Sequence, residues 1–69
     1  MEDKQEICNL LCETLAATRD HEEIQSIIYK KEQNKEIAVV SYINGGSYVV
    51  NVSMDSGTAM IRDIMEAIK

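Results

Sequence analysis

Asn44-Gly45-Gly46 stands between two β-branched runs, EIAVVSYI over residues 36–43 and SYVVNVSM over residues 47–54. Asn-Gly reaches positive φ readily, as the central pair of a type I′ hairpin turn requires. The segment therefore reads as two antiparallel strands joined by a tight turn. A second polar break, Glu32-Gln33-Asn34-Lys35, separates this hairpin from another β-branched and aromatic run over residues 24–31. The expectation is a meander of three strands.

Helices flank the meander. Ile7, Leu10, Leu11, Thr14, Leu15 and Thr18 recur at spacings of three and four, which predicts a helix over residues 3–18. Glu2, Glu6, Asn9 and Glu13 fall together on its opposite side. The polar cluster Arg19-Asp20-His21-Glu22-Glu23 ends it. Asp55-Ser56-Gly57 caps a second helix over residues 57–68, with Met60, Ile61, Ile64, Met65 and Ile68 as its apolar stripe.

A chain of 69 residues makes one small domain, residues 1–69. It has no Phe, Trp or Pro, so Ile, Val, Leu, Met and three Tyr must build the core. Met54, Met60 and Met65 read as gap-filling core residues. The expected fold class is α+β: a two-layer α-β-β-β-α arrangement, with a three-stranded antiparallel meander and both helices on one face. One helix on each face is the alternative. No apolar run is long enough to span a membrane and the N-terminus lacks a signal-peptide shape, so a soluble, cytoplasmic protein is expected.

Hairpin turns set register, and register sets faces. With Asn44-Gly45 as the central pair, Val39 faces Val50 and Val40 faces Val49. Pairing Lys31 with Glu36 places opposite charges across the first hairpin. One face then carries Ile24, Ile28, Ile37, Val39, Tyr48, Val50 and Val52, which the helices are expected to cover. The other carries Ile27, Tyr29, Ala38, Val40, Tyr42 and Val49, with no element left for it. An uncovered apolar face marks an interface. Ile27, Tyr29, Val40, Tyr42 and Val49 are therefore the expected dimer interface, with a second copy packed face to face. Edge pairing through the third strand is the alternative, since neither Pro nor charge blocks it between Ser47 and Met54.

The net charge of −5 sits in the first third. Residues 1–23 hold seven acids against Lys4 and Arg19, and the rest of the chain is balanced. An acidic surface argues against nucleic-acid and membrane partners. The helix-strand-strand-strand-helix order is that of double-stranded RNA-binding domains, but those carry Lys and Arg at the start of the last helix, where this chain has Asp55 and Ser56.

Candidate chemistry is sparse. Cys8 and Cys12, four apart, supply at most two of the four ligands a structural zinc needs. They read as semi-buried reduced thiols, because a disulfide within one helix is geometrically poor. Asp55-Ser56-Gly57-Thr58 reads as a helix cap rather than a nucleophile or phosphate turn. His21, among acids in a connector, has no evident task. No catalytic residue, metal site or cofactor is expected, and the protein is not expected to be an enzyme.

The pattern YINGG, then VNV, then DSGTAMIRDIMEAI, over residues 42–68, resembles short proteins carried on bacterial prophages and integrative elements. The resemblance covers about half of the chain. It implies a small cytosolic accessory of a mobile element and brings no site residues with it. The leading expectation is a non-enzymatic, homodimeric protein–protein interaction module, with itself and a host or phage protein as partners. The second is an acidic inhibitor of a host nucleic-acid-binding enzyme, of anti-restriction or anti-CRISPR type, with Glu2, Glu6 and Glu13 imitating phosphates. A small-ligand site could form only between protomers, lined by Tyr29 and Tyr42.

Overall fold

Asp3 opens the first helix. Its carboxylate accepts a hydrogen bond from the Glu6 backbone N–H at 3.1 Å, satisfying a donor that no helical carbonyl reaches. The computed structural model describes residues 2–69 and contains α1 (Lys4–Ala16), β1 (Ile24–Glu32), β2 (Lys35–Tyr42), β3 (Ser47–Asn51) and α2 (Gly57–Ile68). Thr18 closes α1, its hydroxyl donating to the Leu15 carbonyl at 2.7 Å and accepting from the His21 N–H at 3.3 Å. Ser56 caps α2 by accepting from the Ala59 N–H at 3.2 Å.

The strands form one antiparallel sheet in the order β1-β2-β3. Both helices cover one of its faces, giving the expected two-layer α+β fold. The first hairpin has the expected register, with Lys31 opposite Glu36 and Ile27 opposite Val40. The second is shifted by one residue: Val39 pairs with Val49 and Val40 with Tyr48. The cause is the turn. The Gly45 N–H donates to the Tyr42 carbonyl at 3.0 Å, and the Tyr42 N–H donates to the Gly46 carbonyl at 2.8 Å. Gly45 has φ +96°, and Asn44 does not have positive φ. This is a three-residue loop, a type I turn followed by a left-handed glycine, instead of the two-residue type I′ turn.

That slip decides the faces. Tyr48, Val50 and Val52 move onto the same side as Val40, making it the more apolar one, and the helices cover it. Ile24, Ile27, Ala38, Val40, Val50 and Val52 pack against Cys8, Leu15, Met60, Ile64 and Ile68. A bulge between Ile24 and Ser26 also brings Ile24 inward, opposite Tyr42 rather than Ile43. For Ile27, Tyr29, Ala38, Val40, Ile28 and Val39 the expected covered and uncovered faces are thus exchanged, whereas Ile24, Val50 and Val52 are covered as expected. On α1 the inward stripe is Cys8, Leu11, Cys12 and Leu15, while Leu10 is exposed.

Two side-chain clusters tie α1 to the sheet. The Gln5 side-chain amide donates to the Ile27 carbonyl at 3.2 Å and accepts from the Tyr29 N–H at 2.9 Å. It thereby occupies the outer edge of β1 as a short strand would. Glu36 accepts from the Lys4 ammonium at 2.9 Å, the Tyr29 hydroxyl and the Met54 N–H at 3.0 Å. The Tyr29 and Lys4 bonds hold its carboxyl down at about 2, while the Glu36 carboxylate pushes the Tyr29 phenol up to about 12.

Candidate functional site

The five expected interface residues do not share an exposed surface. Ile27 and Val40 are 1% and 0% exposed, sealed within the protomer under the helices. Tyr29 is half-buried, with its hydroxyl on Glu36. Tyr42 is half-buried between His21 and Tyr48. Only Val49 remains exposed, at 67%. The face-to-face interface built on these residues is therefore corrected: Ile27, Tyr29, Val40 and Tyr42 lie on the side the helices cover, and the slip of β3 puts Val49 on the opposite side.

The uncovered face is a different set. Ile28, Val39 and Val49 form a row across all three strands. Ser26, Ser41 and Ser47 form the next row on one side, and Lys30, Ile37 and Asn51 the row on the other. The apolar strip is narrow, and Ile37 is the one apolar side chain in the two rows that border it.

The strip ends at the outer edge of β3. The Tyr42-to-Gly46 bond and the Val52 N–H bond to the Glu36 carbonyl, 2.9 Å, set the phase of the ladder. Residues 46, 48, 50 and 52 turn their backbone groups toward β2. Ser47, Val49 and Asn51 therefore turn theirs outward, where no further strand follows among the described residues. No charged residue occurs from Ile37 to Met54, so β3 has none of the charges that usually guard an edge. Four large hydrophobic residues are exposed in and beside β3: Ile43, Tyr48, Val49 and Met54.

Met54 is not a core residue. It is 97% exposed and has φ +63°. The Asp55 N–H donates to the Val52 carbonyl at 3.1 Å, closing a β-turn with Met54 at its third position. That position of a type II turn calls for Gly or Asn. Met60 is fully buried and Met65 half-buried, as expected. A turn between Val52 and the Asp55-Ser56 cap was the available sequence signal for Met54.

At the hairpin end of the sheet, a cleft of about 720 Å³ opens between residues 19–23, the β2–β3 turn and Ile68. His21 Nδ1 shares a 3.2 Å hydrogen bond with the Tyr42 hydroxyl, so His21 has a structural task that its sequence neighbours did not suggest. Tyr42 stands edge-on to Tyr48 with ring centroids 6.1 Å apart. Burial, and then Tyr48, push the Tyr42 phenol up.

Cys8 is buried, Cys12 half-buried, and both are free thiols. Burial raises both pKa values, which keeps the thiols protonated and poorly nucleophilic. Asp55 is raised by the neighbouring Asp63 carboxyl and then by burial. Among the described residues no group of three His, Cys, Asp or Glu side chains could hold a metal ion. Of the acidic set, Glu6 and Glu13 are exposed on the outside of α1. Glu2 accepts from the Gly57 N–H at 2.8 Å, beside the start of α2, where a Cβ on Gly57 would lie 2.7 Å from both the Glu2 carboxylate and Ile7. No described helix is long and apolar enough to cross a membrane. Comparison with family models, curated proteins and solved structures finds no match to this chain.

Proposed function

We propose that this protein is a cytoplasmic, non-enzymatic interaction module that works as a homodimer, with β3 of one copy pairing antiparallel to β3 of another. A second partner from a host or phage would dock on the joined sheet. The carrying observation is the outer edge of β3, which is uncharged, has outward backbone groups at Ser47, Val49 and Asn51, and borders an apolar strip. A two-fold axis beside Val49 sets Ser47 against Asn51 of the second copy and joins two three-stranded sheets into one of six. The Ile28–Val39–Val49 strip then doubles in length. Free Cys8 and Cys12 suit a reducing compartment. The link to a mobile element rests on the resemblance over residues 42–68.

Sedimentation equilibrium tests this reading. The wild type should be dimeric. Val49→Lys should be monomeric with an unchanged circular-dichroism spectrum, because the axis would place two ammonium groups face to face. A wild type monomeric at its highest soluble concentration overturns it. So does a dimer that survives Val49→Lys, which would point to a contact away from β3.

The acidic-inhibitor reading is favoured by Glu6 and Glu13, which are exposed and take part in no ion pair among the described residues. Reversing both to Lys should abolish inhibition of a nuclease target; unchanged inhibition sinks the mimicry.

A further inference from the structure

The slip in the second hairpin puts two tyrosines side by side. Tyr48 pairs with Val40 and so joins Tyr42 on the helix side of the sheet. The helices do not close this corner: Tyr48 is 49% exposed although it lies on the covered side. The two ring planes stand at 80° with centroids 6.1 Å apart, and both rings line the cleft of about 720 Å³ at the hairpin end of the sheet. Rings so arranged bound a corner in which a single group meets a face of each. The other wall is the connector between α1 and β1. From it Asp20, Glu22 and Glu23 line the cleft, against one guanidinium, that of Arg19. None of the three acids takes part in an ion pair among the described residues. The connector is fixed at three points. The His21 N–H donates to the Thr18 hydroxyl at 3.3 Å, the Ile24 N–H to the His21 carbonyl at 3.0 Å, and the Ile43 N–H to the Glu23 carbonyl at 2.8 Å. The His21 ring is also bonded to the Tyr42 hydroxyl. Both walls are therefore in place before a ligand arrives, which lowers the ordering cost of binding.

We infer that this cleft binds an alkylammonium group, seated in the Tyr42–Tyr48 corner and bonded to the carboxylates of the connector. Aromatic faces are electron-rich and attract a cation. Carboxylates accept the hydrogen bonds of an ammonium and repel an anion. The methylenes beside the ammonium suit the rings and Ile68, which also lines the cleft. The same chemistry is carried by a free polyamine and by a lysine side chain of a docking protein. The site lies within one protomer, so it does not depend on the β3 pairing proposed above.

Amide NMR titrations of the full chain with spermidine and, separately, with Nα-acetyl-lysine methylamide test the site. Saturable shifts are expected at residues 19–23 and 42–48. Binding of spermidine alone assigns the site to a free polyamine. Binding of the lysine derivative, with or without spermidine, assigns it to a docking protein. Tyr48→Leu should weaken binding at least about threefold, the loss expected when a ring face is withdrawn from a cation. Glu22→Gln with Glu23→Gln should weaken it similarly, and this pair acts from the other wall, so a folding defect in one variant leaves the other to decide. Glu6→Gln with Glu13→Gln, which removes as much charge from the outside of α1, should leave the affinity unchanged. Absence of a saturable shift with either probe overturns the site. So do shifts centred on α1, or an affinity that Tyr48→Leu leaves unchanged, since general attraction to an acidic protein would then account for the binding.

Discussion

β1 and β3 are the two edges of one small sheet, and the chain treats them in opposite ways. Along β1, α1 lies close, Gln5 bonds the outward groups of Ile27 and Tyr29, and Lys30, Lys31 and Glu32 follow as charges. Along β3 no side chain among the described residues takes the outward groups, and no charge stands guard. An edge left open costs specificity, since any extended chain can pair with it. Closing one edge and leaving the other bare confines pairing to a single direction. On the β3 pairing proposed above, growth would stop at two copies, because the far edges of the joined sheet would both be β1.

The largest expected effect is at the closed edge. Ile27→Asp puts a carboxylate in the core beneath the helices and should cost about 3 kcal/mol or more, read as a collapse of the urea midpoint. A folded Ile27→Asp protein would mean that this face is not the core.

Acid should come next. Glu36 has its carboxyl pKa lowered from 4.5 to about 2 in the folded protein, so its contribution is complete above pH 4.5 and disappears as pH falls through 2. The stability gap between wild type and Glu36→Gln should narrow over that range. A gap independent of pH would show that the Lys4–Glu36–Tyr29 cluster is not what ties α1 to the sheet.

Gln5→Leu should cost about 1–3 kcal/mol, because the Ile27 carbonyl and Tyr29 N–H lose their partner under α1. It should also open the β1 edge, so species larger than a dimer should appear by light scattering. If they do not, α1 alone closes that edge. The smallest effect belongs to β3: Val49→Lys should change the unfolding free energy of the monomer by no more than about 0.5 kcal/mol. A large loss would show that Val49 supports the protomer and not a partner.

The local sequence determined the elements. Asp3, Ser56 and the Asn44-Gly45-Gly46 break act over a few residues, through caps and turns, and they set helix starts and strand ends close to their observed places. The Lys31–Glu36 pair across a two-residue turn likewise made the first hairpin register legible. Tertiary structure decided which face is covered. Both faces looked equally apolar under a type I′ turn, and one residue of slip at Gly45 transferred Tyr48, Val50 and Val52 to the Val40 side. A period-two pattern cannot register such a slip, because the alternation reads the same after it. Three further decisions are likewise non-local: Cys8 is drawn inward, Gln5 seats on a strand 22 residues away, and Glu36 pins Met54 from 18 residues away. Each depends on where α1 and the ends of the strands meet in space, which spacing along the chain does not encode.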